Sequence, residues 1–148
     1  MTDVRRLSSG RPWEETFQYS RAVVYGGVLE SCLTSPSDPD GRIVAPGNVY
    51  RQTRRCLAIL RDVLDGAGFP PTSVVASTVY MLDTRRWEEA GRAHREVFGP
   101  ARPALSFLGC ANFWHPDILV EVAIRAYAPG DSASAEPAST DPTTGDRR

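Results

Sequence analysis

The chain has 148 residues, 41% of them hydrophobic, with a formal net charge of -1 and a pI near 6.1. That length and apolar content close one core of ordinary size and would leave two domains each marginal. The balanced charge gives no electrostatic footprint for nucleic acid or an anionic membrane, and all 17 basic residues are arginine, so no lysine is present to form a Schiff base with a carbonyl substrate or pyridoxal phosphate.

Residues 1–11 are polar, lack an apolar leader segment and read as a flexible arm, with the folded unit expected over 12–127. Two short β-rich runs, 19–25 and 28–33, flank Gly26 and Gly27, a pair suited to the positive φ angles of a tight hairpin. Pro36, Asp38, Pro39, Asp40, Gly41 and Pro46 make 34–47 a loop. Asn48 then caps a helix in which Cys56, Ile59, Leu60, Val63 and Leu64 recur at helical spacing, and Gly66 and Gly68 end it. The arginines of that helix, Arg51, Arg54, Arg55 and Arg61, form a solvated face.

Residues 73–82 are rich in β-branched side chains and form a strand. Asp83 or Thr84 caps a second helix with Trp87, Ala90, His94 and Val97 on one face, and Gly99 and Pro100 stop it. Strands follow at 104–110 and 118–127, joined by a loop around His115, Pro116 and Asp117. Residues 128–148 are too poor in apolar groups to offset their ordering entropy and are expected to be disordered. The order β-β-α-β-α-β-β predicts a single α+β domain with both helices on one sheet face. The other face then needs a cover, and self-association is the simplest one.

Three cysteines, Cys32, Cys56 and Cys110, without CxxC spacing argue against a disulfide framework and a zinc site and suit a reducing cytoplasm. Two histidines, His94 and His115, without a third ligand signal leave no metal expected. No run approaches the roughly 18 apolar residues of a spanning helix, so no membrane partner is expected. Glu121 alternates with Val120 and Val122, a polar position on a half-buried strand. Glu30, an acid in mid-strand, needs either a salt bridge to Arg21 or Arg125 or a role beside Glu121 as half of an acid/base pair. Tyr19 is a packing residue with a wet tip or a phenolic donor, and Phe113 and Trp114 belong to a cleft rim or a subunit contact.

Taken with the element order, the runs Tyr19, Ser20, Arg21, Ala22 and Val23; 28–31; Gln52, Thr53 and Arg54; Thr78, Val79 and Tyr80; Phe98 and Gly99; and Leu119, Val120, Glu121 and Val122 resemble the Rid/YjgF family of small trimeric proteins. The resemblance implies a chorismate-mutase-like fold, a mixed sheet with two helices on one face, and a homotrimer with clefts between subunits. In the members that hydrolyse imines and enamines, an arginine in a PAR-[ST] strand motif holds the substrate carboxylate, and a glutamate on the last strand positions water. Glu121 matches the glutamate. Pro100, Ala101 and Arg102 supply an arginine, whereas Pro103, Ala104, Leu105 and Ser106 keep the hydroxyl and the strand phase and put leucine in its place.

The second alignment is the preferred one. It places Leu105 and Phe107 in the cleft as apolar substrate-binding surface where a guanidinium would sit. Cys32 replaces a glycine usual in the family and adds a side chain at the cleft floor. The expectation is a cofactor-independent enzyme acting on a rather apolar carbonyl- or imine-bearing metabolite, a biosynthetic intermediate. Glu121, Glu30 and Tyr19 are its catalytic candidates, and Leu105, Phe107, Arg102 and Cys32 its substrate-binding ones. The alternatives are an imine/enamine deaminase using Arg102 and a non-catalytic trimeric ligand-binding protein. The ribonuclease activity sometimes attached to the family finds no support in this charge distribution.

Overall fold

The computed structural model describes residues 3–129. Its strands are β1 (Val4–Leu7), β2 (Ala22–Tyr25), β3 (Val28–Ser31), β4 (Val74–Met81), β5 (Ala104–Gly109) and β6 (Val120–Tyr127). The α-helices are α1 (Pro12–Phe17), α2 (Val49–Ala67) and α3 (Trp87–Phe98). One six-stranded sheet has the order β1-β2-β3-β6-β4-β5. Only β4 and β5 pair in parallel, and α3 supplies the crossover such a pair requires.

The expected α+β architecture is present, with α2 and α3 covering one face. Asn48 accepts a hydrogen bond from the Arg51 backbone N–H at 2.9 Å, and Gly68 closes α2 in the left-handed conformation. Cys56, Leu57, Leu60 and Leu64 of α2 are fully buried against Leu29, Val79, Val122 and Ala126 of the sheet. Each such leucine contributes about 1.5–3 kcal/mol relative to exposure. Gly26 and Gly27 adopt φ of 54° and 79°, the turn their sequence predicts. On the face opposite the helices, no layer among the described residues covers Val23, Tyr25, Val28 and Tyr127, and Tyr25 and Tyr127 are about half exposed.

Four findings differ from the expectations. Val4–Leu7, placed in a flexible arm, form a strand antiparallel to β2 with Leu7 opposite Ala22. That edge strand is held mainly by backbone pairing, so its Arg5 and Arg6 concealed it from a hydrophobic-pattern reading. Helix α1 was also unanticipated, because its six residues are too few to show a period. Trp87, expected on the buried face of α3, is about half exposed and meets Phe107 edge-on. The expected disordered tail lies outside the described residues from 130 onward.

The fourth difference is a bulge. Glu30 faces Arg125, but Thr34 faces Val122, so four residues of one chain segment span three of the other. The Ser31 hydroxyl accepts the Ile124 N–H at 2.8 Å within this interruption. As a result Cys32 and Leu33, though consecutive, both reach the same cavity.

Candidate functional site

That cavity, about 630 Å³, opens where the start of β6 meets α1 and the loops after β3 and β5. Glu121 stands on its inner side, 7% exposed. Its Oε1 accepts from the Ser35 hydroxyl at 2.6 Å, and Ser35 Oγ in turn accepts the Trp114 indole N–H at 3.0 Å. No described residue hydrogen-bonds Oε2. Burial pushes the Glu121 carboxyl above the usual carboxylate range, and Ser35, Trp114 and the positive charge of Arg21 only partly offset it. A carboxyl raised in this way, with one oxygen fixed and the other open, is placed to give or take a proton.

Arg21 organises the opposite wall. It is 6% exposed. Its Nε donates to Ser9 Oγ at 3.2 Å, Nη1 to Cys32 Sγ at 3.3 Å and the Leu33 carbonyl at 3.2 Å, and Nη2 to Tyr19 Oη at 3.3 Å. Glu14 balances its charge at 3.5 Å. Burial alone would raise Glu14, but hydrogen bonds from the Ser9 side chain and backbone, from Ser8 and from the Arg11 backbone hold its carboxyl below the usual range. Because the Tyr19 oxygen accepts from Arg21, its own proton is left to donate. Burial, the largest influence on Tyr19, keeps it a neutral phenol.

The remaining walls are largely apolar, with Arg11 and Ser37 as polar exceptions. Trp13 of α1 meets Trp114 edge-on with ring centroids 5.0 Å apart, and Phe17 and Leu33 complete the surface. Trp13 is seated over Gly41, where φ is 88° and any Cβ would collide with the indole ring. Gln52, fully buried in α2, holds the two site loops in place. Its amide nitrogen donates to the carbonyls of Val44 (3.1 Å) and Asp117 (2.7 Å), and its oxygen accepts the Leu119 N–H at 2.8 Å.

Of the sequence candidates, Glu121, Tyr19 and Cys32 come together here. Burial raises the Cys32 thiol, which suits a packing role better than a thiolate nucleophile. Glu30 does not join them. It is the surface partner of Arg125 at 2.9 Å, roughly 13 Å along β6 from Glu121 by strand rise, so the salt-bridge reading replaces the acid/base pair. Leu105 and Phe107 share the helix-bearing face of β5, since Phe107 packs on Trp87, whereas Ser106 and Leu108 share the face of Glu121. Neither Leu105 nor Phe107 therefore lines the Glu121 cavity of its own chain. Arg102 is exposed, in the left-handed conformation just before β5, with no ion pair among the described residues. Sequence reasoning left Trp13, Glu14, Arg21 and Ser35 without site roles. Among the described residues no three His, Cys, Asp or Glu side chains cluster as metal ligands, and no helix is long and apolar enough to cross a membrane.

The sequence pattern of the family described as Endoribonuclease L-PSP matches residues 11–128. The chain belongs to the Rid/YjgF family. Similar to this Rid/YjgF protein is the uncharacterised protein SCO2049 of Streptomyces coelicolor, 32% identical over 124 residues, 84% of this chain and 92% of that one. The RutC family protein PH0854 of Pyrococcus horikoshii is 28% identical over 74% of this chain and 86% of its own. Rv2704 of Mycobacterium tuberculosis, a member of the YjgF/YER057c/UK114 family, superposes with a TM-score of 0.74 at 32% identity, covering 85% of this chain and all of that one.

Proposed function

We propose that this Rid/YjgF protein is a cofactor-independent enzyme that acts on a small, largely apolar carbonyl- or imine-bearing metabolite, a biosynthetic intermediate, by proton transfer through Glu121. The observation that carries this reading is the Glu121 carboxyl itself, raised by burial, fixed at Oε1 by Ser35 and free at Oε2 inside an aromatic-walled cavity. With an imine as substrate, Glu121 takes a proton from water as the water oxygen bonds the imine carbon. The nitrogen gains that proton to give a carbinolamine, Glu121 then carries the hydroxyl proton to the same nitrogen as the carbon–nitrogen bond breaks, and a carbonyl compound and an amine or ammonia leave. Tyr19 donates to the heteroatom on which charge develops. In this reading the active unit is a homotrimer. The uncovered sheet face around Tyr25 and Tyr127 supports the association, and Leu105 and Phe107 act on a cleft only from a neighbouring subunit.

The test is turnover of a panel of imines and of aldehydes and ketones by the wild-type protein and Glu121→Gln. A loss of about a hundredfold or more in the variant supports general acid/base catalysis. Equal rates, or binding without turnover in either protein, favour the non-catalytic ligand-binding reading.

A second reading is imine/enamine deaminase activity with Arg102 anchoring a substrate carboxylate in a neighbour's cleft. The exposed and unpaired Arg102 guanidinium favours it. Ammonia release from 2-aminoacrylate-type imines that disappears in Arg102→Ala would select this reading.

A further inference from the structure

We propose that the Glu121 cavity is shaped for an uncharged aromatic carbonyl compound or its imine, with the ring against Trp114 and Trp13 and the heteroatom accepting from Tyr19. This rests on the proposed function, and it names a substrate class that excludes a carboxylate as the anchoring group.

Two independent observations lead to it. The first is the absence of a spare cation in the cavity among the described residues. Arg21 spends its donors on Ser9, Cys32, Leu33, Thr34 and Tyr19, and its charge on Glu14. Arg11 is tied by Nε and Nη2 to Ser37 and by Nη1 to the Ser9 carbonyl at 2.8 Å. Neither arginine can present a paired set of N–H groups to a carboxylate without giving up contacts that order α1 and the segment carrying Tyr19. An anionic ligand would also meet Glu121 whenever that acid is ionised.

The second observation is the wall chemistry. Phe17, Leu33 and Trp114 are 69%, 37% and 53% exposed, and all three line this one cavity. A cluster of exposed apolar side chains around a few convergent polar groups is the signature of a ligand surface. Trp114 and Trp13 meet edge to face, so the pair offers an aromatic ligand both a ring face and a ring edge.

The experiment is calorimetric titration of the full-length Glu121→Gln protein, which keeps a donor toward the ligand but cannot turn it over under the proposed mechanism. The probes are acetophenone, cyclohexyl methyl ketone, benzoylformate and pyruvate. Acetophenone is expected to bind about tenfold more tightly than its saturated-ring counterpart, and Trp114→Ala to remove that preference. Benzoylformate and pyruvate should bind more weakly than acetophenone. Equal affinity for the two ketones, or tighter binding of the keto acids, would overturn the proposal, the latter pointing to an arginine supplied by another subunit. If Trp114→Ala instead dissociates the oligomer while ring preference survives, the aromatic wall is a subunit contact and the proposal also falls. Since these readings are of binding, they stand apart from the turnover test, which alone decides the catalytic role of Glu121.

Discussion

Ser35 Oγ lies 2.6 Å from Glu121 Oε1 and has only one proton to give. The Trp114 indole N–H occupies an acceptor position on the same hydroxyl, so that proton is directed at the carboxyl. Two loops far apart in the chain thus converge on one acid.

Removing this donor changes how readily Glu121 ionises. In Ser35→Ala the carboxylate loses a hydrogen bond that favours its charged form, so its pKa should rise further above the ordinary value. Trp114→Phe should shift it in the same direction by less, because Ser35 remains. Carbon-13 NMR titration of the Glu121 carboxyl reads both; an unchanged or lowered value in Ser35→Ala would contradict the relay.

Glu121 should trade stability for reactivity. Its folded pKa is raised above 4.5, so the favourable contribution of its neutral form is complete below pH 4.5 and is lost as pH rises through the folded value. Glutamine keeps the contact with Ser35 without the buried charge. Glu121→Gln should therefore be more stable than wild type at pH 7–8, by on the order of 1 kcal/mol, with the gap closing near pH 4. Thermal melts across that range check the sign.

Glu14 has the opposite linkage. Its pKa is lowered, so its contribution is complete above 4.5 and is lost as pH falls through the folded value. Glu14→Gln leaves the Arg21 charge buried without its counter-ion and should cost about 3 kcal/mol or more in denaturant unfolding at pH 7. Acetophenone binding should weaken with it, since α1 carries Trp13.

Gln52 should be intolerant of apolar replacement despite its apolar surroundings. Gln52→Leu is similar in size but orphans the Leu119 N–H and two loop carbonyls, at a cost of about 1–3 kcal/mol for each group left unsatisfied. Amide hydrogen exchange should accelerate in 34–47 and 110–119 before it does in β4. Uniform exchange across the domain would show that Gln52 stabilises the fold without holding these loops.

Much of the fold was legible because its signals are local. The periodic apolar face of α2, the Gly26 and Gly27 turn and the β-branched run of β4 each specify their own structure. Glu121 was legible through the alternation around it and the family resemblance. Its partners were not, because Ser35 is 86 residues away in sequence and Trp13 sits on a helix too short for a period. The side of β5 that Leu105 takes was not legible for a related reason. Alternation separates the two sides of β5, but which side carries α3 depends on the packing of Phe107 against Trp87, a contact between elements that no local pattern encodes.

The extra residue between Glu30 and Thr34 works as an address. Side-chain direction in an extended segment is a matter of odd and even count, and the bulge shifts that count once before the chain reaches Ser35. Without the bulge, the Glu30–Arg125 register carried on through this segment would set Ser35 opposite Val120 and turn its hydroxyl toward the helices, exchanging the cavity-facing and helix-facing sets without altering the chemistry of any side chain. A relative one residue shorter here can pair regularly and still aim its hydroxyl at the acid, so it is the length of this stretch and its bulge together that set which side chains meet Glu121.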